Sequence, residues 1–96
     1  MRRTSNLAVN SRFSQRTGVL FPAPGSAVRF ARDRDNPVDR DAVGIYLPDV
    51  PVPLGWLYRK DANRPILLAA LDAGKPADGR FIVSGSGAKP KVEFWL

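Results

Sequence analysis

Nine prolines and eight glycines are spread through 96 residues. No regular element can run far through such a chain. Proline has no N–H to give a helix interior or a strand ladder, and glycine loses the most conformational freedom on ordering. Many of these residues stand where turns would be needed: Pro22 and Pro24 beside Gly25, Pro37 inside an acidic run, and Pro48, Pro51 and Pro53 within six residues. Short elements joined by tight turns fit a small, closed or half-closed β-barrel better than a helical bundle. The expectation is a mainly β chain of five or six short strands with one or two short helices. Its length is enough for one small domain. Residues 1–6 are expected to be a basic flexible tail and residues 7–96 the barrel.

Alternation places the strands. Leu7, Val9, Ser11 and Phe13 share one face of a strand over 7–13, followed by a turn over 14–17. Val19 to Phe21 could continue the sheet until Pro22 ends it. Val28 and Phe30 point one way in the next strand, and Arg29 and Ala31 the other. Val43, Ile45 and Leu47 line one face of a strand over 42–47. A further strand over 54–58 turns Trp56 and Tyr58 away from Leu57. A helix starts near Arg64, since Pro65 is tolerable only in a first turn, and Asp61 or Asn63 can cap it. Its apolar stripe is Ile66, Leu67, Ala70 and Leu71, a core face, and Gly74 fits the position past its end. Strands over 81–84 and 91–95 are joined by the turn Gly85 to Ala88. Phe30 and Phe81 read as core, and Phe94 and Trp95 as core and edge packing.

The polar run from Asp33 to Asp41 separates two of these strands. Pro37 cannot continue a ladder, and Asn36 and Asp39 can each bond nearby backbone and stiffen the turn. A tight loop on a rigid scaffold is a favoured place for binding groups.

Composition removes most catalytic chemistry. The chain has no Cys and no His, so thiolate sites, disulfides, nucleophilic triads and the commonest metal ligands are absent. Asp33, Asp35, Asp39 and Asp41 are interleaved with Arg32, Arg34 and Arg40; ion pairing there would lower carboxyl pKa values rather than poise one as an acid. The aspartate spacing lacks the Gly and Glu of a calcium loop. Ser84 to Lys89 lacks the Gly-Lys-[Ser/Thr] order of a phosphate loop and precedes a strand; it reads as a hairpin turn. The expectation is a binding module, not an enzyme, with no cofactor. No apolar run is long enough to span a membrane, and the basic N-terminus lacks a signal-peptide core, so a cytoplasmic, intracellular protein is expected, with nucleoid association compatible.

Net charge is +6 and unevenly placed. Residues 1–34 hold seven arginines against Asp33 alone, whereas residues 35–96 hold eight basic and eight acidic residues. Arginine outnumbers lysine by eleven to four. Guanidinium groups suit bidentate phosphate contacts and stacking on bases. A solvated basic face is the plainer account of the same numbers. Phe13, Trp56 and Tyr58 lie near Arg12, Arg59 and Lys60 in the sequence, the pairing of aromatic and cation used by single-strand binders.

Three segments occur in a recognisable order: Arg34-Asp35-Asn36-Pro37-Val38-Asp39-Arg40-Asp41-Ala42-Val43, then Leu54-Gly55-Trp56-Leu57, then Leu71-Asp72-Ala73-Gly74. In this the chain resembles the HIRAN domain, found in helicase-like remodellers and alone in bacteria. The resemblance implies an OB- or SH3-like barrel that binds single-stranded DNA and captures its free 3′ end, with DNA repair as the setting and a helicase or nuclease as a protein partner. By motif, Asn36 and Asp39 match the end-binding loop, with Asp39 accepting a bond from the 3′-hydroxyl. Arg12 and Phe13 resemble the Arg-aromatic pair of the first strand. Trp56 stands where the family has an aromatic or His, Arg59 stands near a phosphate contact, and Lys60 adjoins it. Val38 departs from the pattern: the family often has Tyr there, and Val offers apolar contact without a π-face. The alternative is a protein- or peptide-interaction module of SH3-like type, using the proline-rich loop and the strand around Trp56.

Overall fold

A computed structural model describes residues 1–17, 21–82 and 89–95. The strands are β1 (Arg2–Val9), β2 (Ala27–Arg32), β3 (Val43–Tyr46), β4 (Gly55–Leu57), β5 (Asp78–Ile82) and β6 (Lys91–Trp95). The helices are α1 (Ser11–Thr17), between β1 and β2, and α2 (Arg64–Asp72), between β4 and β5. All strand pairings are antiparallel, and the order β1-β4-β3-β2-β5-β6 closes on itself. The expected small β-barrel is therefore present, with six strands and two short helices among the described residues.

β1 makes the closure. Its first half, Arg2 to Asn6, pairs with β6, and its second half, Leu7 to Val9, pairs with β4. This corrects the expected flexible tail. Residues 2–6 are barrel strand, and they are tied to the start of α2. The Ser5 hydroxyl donates to Asp61 Oδ1 at 3.1 Å, Arg3 Nη1 donates to Asn63 Oδ1, and Asn63 Nδ2 donates to Ser5 Oγ. Basic composition suggested disorder; ladder bonds and this polar knot override it.

The strand expected over 7–13 stops at Val9. Asn10 ends it: its Oδ1 accepts the Arg12 N–H and its carbonyl accepts the Phe13 N–H, which starts α1. The turn expected over 14–17 is the rest of that helix. The extension over Val19 and Leu20, the last residues of the 81–84 strand, the Gly85–Ala88 turn and the loop-like Ser84–Ala88 all lie outside the described residues.

Inward-facing residues fill the barrel: Leu7, Val28, Phe30, Val43, Ile45, Leu57, Phe81, Val92 and Phe94 are buried, with Phe13 of α1 and Leu67 of α2 plugging it. Phe30 meets Phe94 edge-on at 5.1 Å, and Phe21 stacks on Phe81. In α2, Leu67 is buried and Leu68 and Leu71 pack on the core, while Ile66 is exposed, unlike the expected stripe. Arg64 takes the inward position of the first turn, which rotates Ile66 out. Trp95 is half exposed on the outer face. Gly74 closes α2 at φ +75°, a conformation that favours glycine. Among the described residues no helix is long and apolar enough to cross a membrane.

Gly55 permits the closest strand contact. A Cβ built there would lie 2.3 Å from the Ala8 carbonyl oxygen, so β1 and β4 approach only because it is absent. β3 is buried on both faces. Val43 and Ile45 point into the core. On the outer face Gly44 lies opposite both Trp56 and Ala31, and the Tyr46 ring folds over it.

Candidate nucleic-acid interface

The loop between β2 and β3 is a bonded scaffold. Asp33 N–H donates to the Ala42 carbonyl at 2.9 Å, closing its base. Asn36 Oδ1 accepts the N–H groups of Val38 and Asp39, at 2.9 and 3.0 Å. Asp39 Oδ1 accepts the Asp41 N–H. The stiffening expected of Asn36 and Asp39 is thus observed. The crest of the loop is Val38, which is 80 % exposed.

Arg64 holds this loop from beneath. Its guanidinium side chain is only 8 % exposed. It donates to the Asp41 carbonyl (3.0 Å), the Arg59 carbonyl (3.2 Å) and Asp39 Oδ1 (2.8 Å). Arg59 adds a bond to the Val38 carbonyl and lies 3.4 Å from Asp39 Oδ2. Burial acts to raise the Asp39 carboxyl pKa, but the Arg64 hydrogen bond, the Asp41 N–H and the two arginine charges outweigh it, so the value sits below the ordinary one. Asp39 is therefore a strut of the loop. Arg32 makes a second tie, bidentate to Asp72 of α2 and single to Asp41. Those hydrogen bonds also lower the Asp72 carboxyl and raise the Arg32 guanidinium.

Beside the loop lies an open groove of about 760 Å³. Trp56 and Tyr46 form part of its lining, and the proline-rich loop at Pro51 to Pro53 lines it too. Trp56 sits half-buried on the outer face in a row with Ala8, Gly44 and Ala31. Its Nε1–H donates to Asp33 Oδ2 at 2.8 Å, which fixes the ring. Arg29 lies over the Tyr46 ring at 4.7 Å. Burial, then the Asp33 charge and more weakly the Asp35 charge, push the Tyr46 phenol pKa up despite Arg29. Arg12 enters from the α1 side, and no hydrogen bond or ion pair engages its guanidinium among the described residues. Asn10 ties that side to the proline loop, its Nδ2 donating to the Pro53 carbonyl at 2.8 Å.

The expected site residues are thus divided. Arg12, Asn36, Val38 and Trp56 meet in this groove. Phe13 does not: it is 1 % exposed, because the turn of α1 rotates it into the core. Asp39 and Arg59 lie behind the loop, and Lys60 lines a separate shallow surface with Asp61 and Arg64. Tyr46, Asp33 and Asp35 join the groove unanticipated. Alternation carries the signal for Tyr46, since Val43 and Ile45 facing inward put Gly44 and Tyr46 outward; the β3–β4 register then sets that face beside Trp56. Among the described residues no group of three or more acidic side chains is placed to hold a metal ion. No family model, curated protein or solved structure matches this chain.

Proposed function

We propose that this chain binds single-stranded DNA, with one base on Trp56 and Arg12 on the adjoining phosphate, and that a free 3′ end is the segment that enters. The observation that carries this reading is an outward indole, fixed by Asp33 in an open groove beside a guanidinium that has no partner among the described residues. Stacking on such a platform is worth roughly 1–3 kcal/mol per base and does not need a particular sequence. Among the described residues the groove lining brings one cation and two carboxylates. An internal nucleotide would bring phosphates on both sides, one of them toward the acids. A terminal nucleoside brings one phosphate, which suits Arg12. The HIRAN resemblance supports the same end and polarity. Asp39 is not needed as the hydroxyl acceptor in this reading.

The test is fluorescence anisotropy with one short strand ending in a 3′-hydroxyl, a 3′-phosphate or a hairpin, at low and physiological salt. The expected result is preference for the free hydroxyl, affinity that falls with salt, and a loss of roughly 10- to 100-fold in Trp56→Ala. Equal binding of all three ends would remove the end preference. The proline wall and the two carboxylates beside an indole also suit a basic peptide, and absence of binding to every oligonucleotide at low salt would favour that reading.

A further inference from the structure

The groove has opposite charges on opposite sides of Trp56. β1 borders β4 on one side and leads through Asn10 to Arg12. β3 and then β2 lie on the other side, and β2 leads to Asp33 and Asp35. A nucleotide stacked on the indole with its phosphate at Arg12 therefore turns the far edge of its base toward the two aspartates. Asp33 already accepts the Trp56 N–H. No hydrogen bond or ion pair engages the Asp35 carboxylate among the described residues, although it lines the groove. A carboxylate accepts and cannot donate, so it selects for N–H groups on the edge it meets.

We infer that Asp35 reads the base lying on Trp56, preferring guanine and rejecting thymine. Guanine presents N1–H and the 2-amino group side by side, matched to the two oxygens of one carboxylate. Adenine and cytosine present one amino group beside a ring nitrogen that accepts. Thymine presents one N–H between two carbonyls, which face the carboxylate with like partial charge. Affinity then runs guanine, then adenine and cytosine, then thymine. The inference rests on the single-strand reading above and adds a specificity to it. A good pair with a base edge discriminates by on the order of tenfold.

The experiment measures Kd for four oligothymidine strands that differ only in the 3′-terminal base, with the wild-type chain, Asp35→Ala and Trp56→Ala. Asp35 is exposed, and circular dichroism checks that its variant folds. The expected result is about tenfold tighter binding of the guanine end than of the thymine end, with the four values converging in Asp35→Ala because guanine binds more weakly and thymine more tightly than in the wild type. Four equal values in the wild type, with binding still lost in Trp56→Ala, would overturn base reading while leaving DNA binding in place. A guanine preference that persists in Asp35→Ala would overturn the assignment to Asp35. Absence of saturable binding to any strand would overturn both this inference and the reading beneath it.

Discussion

Asp39→Ala should destabilise this chain through a residue it does not remove. The side chain of Arg64 is 8 % exposed, and one of its three described bonds ends on Asp39 Oδ1 at 2.8 Å. Deleting the carboxylate leaves a buried cation without its counter-charge. Breaking a buried pair in this way costs about 3–5 kcal/mol. The Asp39 side chain is 21 % exposed, so water relieves part of that cost and the low end, about 3 kcal/mol, applies. A domain of this size has about 5–14 kcal/mol of stability in total, so the variant folds. Its Tm should fall by about 12–24 °C. Replacing both partners, as Asp39→Ala with Arg64→Met, should recover part of the loss, because no buried charge then remains.

The pH dependence gives a second readout. The folded Asp39 pKa lies below its ordinary value of 3.8. Its contribution is therefore full above that value and is lost as pH falls through the folded one. Thermal melts of wild type and Asp39→Ala at pH 7 should differ widely, and the gap should narrow below about pH 4. A Tm within about 4 °C of wild type at pH 7, or a gap unchanged in acid, would refute the strut.

Phe13→Leu should lower stability by about 1–2 kcal/mol in urea titration and leave DNA affinity unchanged, since the ring is core; a selective affinity loss would return it to the interface. Gly55→Ala should cost about 2 kcal/mol or more by the same titration, because its Cβ meets the Ala8 carbonyl; a neutral result would show that the β1–β4 pairing yields. Arg12→Ala should weaken every single strand alike and reduce the salt slope by about 0.7, the share of one phosphate. Loss confined to one end type would contradict a simple phosphate contact.

Much of the fold is legible in one dimension because its causes are local. Alternation at Val28 to Ala31, at Val43 to Leu47 and around Trp56 marked three strands, and Pro65 with Gly74 bracketed α2. Two local signals point away from the structure. Leu7, Val9, Ser11 and Phe13 alternate, yet Asn10 bonds the backbone two and three residues on and turns the chain into α1. The basic start has the composition of a tail, because charge says nothing of the β6 ladder that claims it.

The site divides along the same line. Trp56 as an outward aromatic, Arg12 as a basic neighbour and the stiffness from Asn36 follow from residue type and spacing. Whether two carboxylates are struts or groove lining does not. Asp39 and Asp35 lie four residues apart in one acidic run, and nothing local distinguishes them. Arg64, far along the chain in α2, takes Asp39, and Asp35 is left facing the groove. Short strands, a barrel-sized core and a stiff polar loop can be read along the chain, because these depend on neighbours in sequence. Which charges neutralise one another and which stay exposed is settled in three dimensions, because it depends on partners brought together from distant positions.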